Sequence, residues 1–95
     1  MYPKVKYLAQ AYFHQDFDLE ADSPTGVVSL FREREAPEMV SSLSDEINSI
    51  LSKEVDESFL ARIWLEEDGA CYDPRQDGIP IRDWLLRVAE ILGNR

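Results

Sequence analysis

The chain has a single cysteine, Cys71, and a single histidine, His14. One thiol excludes an internal disulfide and any multi-cysteine zinc site, and it suits a reducing compartment. One histidine excludes a paired-histidine metal helix. Long hydrophobic runs are missing too, since nothing approaches the ~18 consecutive apolar residues of a membrane span. The opening Met1-Tyr2-Pro3-Lys4-Val5-Lys6 does not lead into the continuous apolar stretch of a secretory signal. A cytoplasmic location is therefore expected. Bases are scarce: ten Lys and Arg face nineteen Asp and Glu, giving a net charge of −9. Phosphates and anionic lipids are held by Lys and Arg that replace counterions, so direct binding to nucleic acid or membrane is not expected. A basic protein partner would be attracted and steered instead.

What is present can make a core. The hydrophobic fraction of 44% is ordinary for a globular chain, and 95 residues (1–95) make one domain. Helical periodicity dominates. Val5, Leu8 and Tyr12 share a stripe widened by Ala9 and Phe13, which predicts a helix over Pro3–Phe13. Residues 14–22 alternate acidic and apolar, but without a pairing partner they read as an irregular connection. Ser23-Pro24 is an N-cap followed by proline at the first helical position, opening a second helix that buries Val27, Val28 and Phe31 and must stop before Pro37. Pro37 opens a third, with Met39, Val40, Leu43, Ile47, Ile50 and Leu51 inward. Asp56 caps a fourth, with Phe59, Leu60, Ile63 and Trp64 inward, ending at Gly69. Pro80 starts a fifth on Ile81, Trp84, Leu85, Val88 and Leu92. The expected fold is all-α, a single compact domain of about five helices.

Chemistry is hard to find in this pattern. Asp16 or Asp18 could orient the His14 imidazole, but no serine or cysteine lies near it in sequence, and only the fold could bring up Cys71. A histidine between Phe13 and Phe17 reads more readily as a packed group bonded to a carboxylate or to backbone. Calcium loops fail in both frames: Ala21 and Val27 stand where glycine and glutamate are needed after Asp16, and Arg75 and Trp84 occupy ligand positions after Asp73. No serine has the helix-start setting of an acyl carrier, and there is no glycine-rich phosphate loop. No catalytic residue, metal or cofactor is expected, and the chain does not read as an enzyme.

The acids themselves form the candidate surface. Residues 16–22 hold Asp16, Asp18, Glu20 and Asp22 with no base, and Glu66-Glu67-Asp68 is followed by Asp73 and Asp77. Tyr72 lies among the latter, and a tyrosine on a rigid loop is a frequent interface hot spot. These ten residues are the candidate partner-binding set, with the second cluster favoured. Tyr12, Phe13, Trp84 and Leu85 lie on apolar stripes and read as fold-makers.

Two stretches are recognisable together. Tyr12-Phe13-His14-Gln15-Asp16-Phe17-Asp18, and Gly69-Ala70-Cys71-Tyr72-Asp73-Pro74 followed by Gly78 and Trp84-Leu85, resemble the immunity proteins of bacterial contact-dependent growth inhibition systems (CdiI-type). Asp45-Glu46-Ile47 with Leu51 is similar to that family's central helix. Asp68 stands where the family pattern has an apolar residue. The resemblance implies a cytoplasmic inhibitor that binds a toxin domain delivered by a neighbouring cell, commonly a nuclease and often one acting on RNA. It implies a basic cognate toxin as partner, met by a monomer in a 1:1 complex. The other reading of the same residues is an acidic helical adaptor, or an antitoxin of another system, on a different basic protein.

Overall fold

Helix starts are well signalled in this chain, and the structure follows them. The computed structural model describes residues 2–19 and 21–93; among these are five α-helices and no strand. They are α1 (Pro3–Ala11), α2 (Pro24–Arg34), α3 (Pro37–Leu51), α4 (Glu57–Ala61) and α5 (Ile81–Gly93). Proline occupies the first turn of α1, α2 and α3, where its missing N–H leaves nothing unsatisfied. The Ser23 hydroxyl accepts from Gly26 N–H at 3.1 Å to cap α2, and Asp56 Oδ1 accepts from Phe59 N–H at 2.9 Å to cap α4. Space beside Gly26 is tight: a Cβ would stand 3.1 Å from Ala21 Cβ and 3.2 Å from Ser23 Oγ, so these neighbours would have to give by a few tenths of an ångström.

The caps of α1 and α5 come from far away in sequence. Glu46 of α3 accepts from the N–H groups of Lys4 (2.9 Å) and Val5 (3.0 Å) at the start of α1. Glu57 accepts from Ile81 N–H (2.6 Å) and Arg82 N–H (3.0 Å) at the start of α5. Each carboxylate satisfies donors that a helix leaves open and sits at the positive end of its dipole. Glu46 and Glu57 thus hold helices together.

Two boundaries differ from the periodicity. The first helix ends at Ala11, with the Phe13 N–H shared between the carbonyls of Leu8 and Ala9, both at 3.2 Å. The fourth does not run as one α-helix to Gly69. It is α-helical only through Ala61 and continues as a π-helix over Arg62–Glu67, with Asp68 N–H donating to Ile63 O at 2.9 Å. Tertiary bonds hold this widened turn. Trp64 Nε1 donates to Tyr72 O at 2.8 Å, and Ala70 N–H reaches Trp64 O at 3.1 Å. Gly69 sits between at φ 74°, the left-handed conformation that favours glycine.

One hydrophobic cluster draws on all five helices. At its centre Trp84 meets Phe13 (5.5 Å between ring centroids), Tyr72 (5.0 Å) and Trp64 (6.0 Å). Trp84 is 1% exposed, and its Nε1 has no hydrogen-bond partner among the described residues.

Candidate partner-binding site

The alternating segment after α1 resolves into a 3₁₀ turn, Phe17–Leu19. Phe17 points inward and packs on Phe13 (5.7 Å) and on Tyr72 (5.5 Å). Tyr72 stacks on Phe13, and Cys71 N–H donates to Phe13 O at 2.8 Å. One backbone bond and three rings therefore weld residues 13–17 to the 69–78 loop. Between them lies an open depression of about 360 Å³ lined by Phe17, Pro24, Cys71, Tyr72, Asp73, Gln76 and Asp77. Asp16 and Asp18 flank Phe17, Asp22 precedes Pro24, and all three are exposed. The segment of Asp16, Asp18 and Asp22 thus adjoins the loop of Asp73 and Asp77, and of these acids Asp73 and Asp77 line the depression.

The second cluster does not hold together as a surface, which corrects the sequence reading on two residues. Tyr72, expected as an exposed hot spot, is 7% exposed, because its ring is taken by Phe13, Phe17 and Trp84. Its hydroxyl donates to Asp77 Oδ2 at 3.0 Å, and burial, then this carboxylate, pushes its pKa up to about 12. Asp68, expected as an exposed acid, is 5% exposed, because the π-turn sets it over Ile63 and turns it inward. Its Oδ2 has no hydrogen-bond partner among the described residues, and burial, with Glu67 adding, pushes its pKa from 3.8 to about 6.

The remaining members divide. Asp73 grips Arg75 through two bonds of 2.9 Å and accepts the Arg75 N–H at 3.0 Å, and this guanidinium holds the carboxyl below its usual range. Asp73 and Asp77 face the depression, while Glu66 and Glu67 are exposed at the end of the π-helix and do not line it. Glu20 lies outside the described residues.

A second cleft of about 420 Å³, between α2, α3 and the end of α5, sets Arg32 near Glu35 and Asp45 and contains none of the candidates. Glu35 is engaged by the hydroxyls of Tyr7 (2.9 Å) and Tyr12 (2.6 Å), and burial, then this bond, raises the Tyr12 pKa above the usual tyrosine range. Tyr12, Phe13, Trp84 and Leu85 are all buried. Among the described residues no group of three His, Cys, Asp or Glu side chains is placed to hold a metal ion, and no helix is long and apolar enough to cross a membrane.

The model of the CdiI immunity protein family matches residues 1–92. The chain belongs to that family. A CdiI immunity protein is a toxin inhibitor and not an enzyme. No curated protein matches the chain in sequence. Its fold is that of a chain in the crystal structure of a CdiA-CT/CdiI complex from Y. kristensenii 33638, with a TM-score of 0.90, 22% identity, and coverage of 97% of this chain and 98% of that one.

In this CdiI protein His14 is half-buried beside the weld, and its Nδ1 accepts from Asp16 N–H at 3.1 Å, which makes it a local turn-former. Cys71 lines the depression and His14 does not. The residue that sequence reasoning passed over is Leu19, 80% exposed among these acids. Alternation alone could not say which of Phe17, Leu19 and Ala21 would face out.

Proposed function

We propose that this immunity protein neutralises its cognate toxin by laying the acidic rim of the depression into a basic cleft of the toxin domain. The complex is one to one and forms in the cytoplasm of the cell that makes the inhibitor. By likeness to the CdiA-CT/CdiI complex, the partner is a CdiA-CT-type toxin domain. A nuclease, one acting on RNA included, is the toxin class that fits best. Its cleft must carry Lys and Arg to hold phosphates, and carboxylates on a −9 protein can take the phosphates' places. The observation that supports the reading is the weld itself, because it joins the segment of Asp16, Asp18 and Asp22 to the loop whose Asp73 and Asp77 line the depression.

The test is co-purification with the toxin domain encoded beside it, followed by binding kinetics between about 50 and 500 mM salt, across which the Debye length shrinks severalfold. Association should slow steeply with salt while dissociation changes little. Asp16→Asn, Asp18→Asn and Asp22→Asn combined should slow association without lowering the melting temperature. A flat on-rate, with the triple variant binding like wild type, would leave the acidic surface as a solubility device and overturn the mechanism.

A further inference from the structure

Among the large hydrophobic side chains of the described residues, Leu19 is the most exposed. Tyr7 at 39% exposure bonds Glu35, and Leu86 at 46% is half covered on α5, whereas Leu19 is 80% exposed. It contributes next to nothing to the core, so its apolar surface remains available to another molecule. The turn that carries it is pinned at several points. Leu19 N–H donates to Asp16 O at 3.0 Å, Phe17 N–H to His14 O at 3.0 Å, and Phe17 is locked between Phe13 and Tyr72. A side chain presented on so fixed a turn loses little conformational freedom on binding.

We infer that Leu19 is the apolar anchor of the toxin interface, seated in an apolar socket of the toxin that is bordered by Lys and Arg. The inference rests on the proposed acidic-rim reading and adds the chemistry of its centre. The exposed carboxylates of Asp16, Asp18 and Asp22 around it decide the occupant. They repel a second copy of a −9 chain and complement a basic one. An apolar centre within a polar rim is also the anatomy of interfaces in which a few residues dominate affinity. The acids then govern how fast the complex forms, and Leu19 governs how long it lasts.

The experiment compares wild type, Leu19→Ala, Leu19→Met and the control Leu86→Ala, all full-length, against the purified toxin domain by binding kinetics at several salt concentrations. Leu19→Ala should dissociate about ten- to fiftyfold faster, the scale of burying one leucine. Its on-rate should keep the wild-type salt dependence, and its melting temperature should be unchanged. Leu19→Met should restore slow dissociation, and Leu86→Ala should match wild type. Salt-dependent binding by wild type with an unchanged off-rate for Leu19→Ala overturns the anchor and leaves the acidic rim standing. A concentration-dependent dimer abolished by Leu19→Ala would give the residue to a second copy and overturn it as well. Absence of any binding by wild type overturns both readings.

Discussion

Asp68 offers a direct test of how this fold treats its acids. The carboxylate is 5% exposed, and its pKa is raised from 3.8 to about 6, first by burial and then by Glu67. The amino-terminal charge and Lys6 pull it down only in part. A raised folded-state value means that the native protein holds the Asp68 proton more tightly than the unfolded chain does. The associated stability is therefore fully present below about pH 3.8 and is lost as pH rises through about 6. At ~1.4 kcal/mol per pH unit, the gap amounts to roughly 3 kcal/mol at neutral pH as an upper figure. Asp68→Asn keeps the shape and removes the charge. It should be more stable than wild type by about 1–3 kcal/mol at pH 7, and the difference should close as pH falls towards about 4. Urea unfolding of both proteins at intervals over this range measures it, and the difference between them cancels the self-repulsion common to both. If Asp68→Asn is the weaker protein at pH 7, the carboxylate is held by a cation, Lys6 or the amino terminus, and the argument from desolvation is wrong.

Two further outcomes follow from the packing. Trp84→Ala should cost about 3–5 kcal/mol, a large part of the 5–15 kcal/mol typical of a domain, because it empties the centre of the aromatic cluster; an unchanged melting temperature would refute this. Glu57→Ala, at a position whose exposure alone would predict almost no effect, should cost about 1–2 kcal/mol by uncapping α5. Denaturant unfolding checks it, and a loss below about 0.5 kcal/mol, the usual surface effect, would show that water caps the helix as well.

How much of this was legible in the sequence depended on the range of the interactions concerned. Ser23, Pro24, Pro37 and Asp56 act within four residues, and each could be read directly. The stripe Ile81, Trp84, Leu85, Val88 and Leu92 is also local, and all five residues are buried. Nothing in the sequence marked Glu46 and Glu57 as caps, because their partners lie 42 and 24 residues away. The π-turn was invisible for the same reason: it is held by Trp64 reaching Tyr72 and by Gly69, not by local propensity. Its widening is what converted Asp68 from a supposed surface acid into a buried one. Tyr72 was misread because a tyrosine in a loop gives no sign that three rings will close over it.

The residues that made the family recognisable divide between core and surface, and Asp16 and Asp18 of the first stretch are exposed. Tyr12, Phe13, Tyr72, Trp84 and Leu85 are buried, so they specify a scaffold that other immunity proteins can share. Which toxin is bound must be written in side chains that reach solvent, because buried groups offer a partner nothing to discriminate; in the proposed reading these are Asp16, Asp18, Leu19 and Asp22. The weld is the link between the two sets. Phe13 carries the carbonyl that holds Cys71 and the ring against which Phe17 and Tyr72 pack, so it fixes one acidic segment relative to the other. Damage to the scaffold should then reduce protection through stability, in step with the melting temperature. Damage to the rim should reduce it through binding kinetics, with the melting temperature unchanged. A rim variant that lost protection only in proportion to its loss of stability would place the interface elsewhere on the molecule.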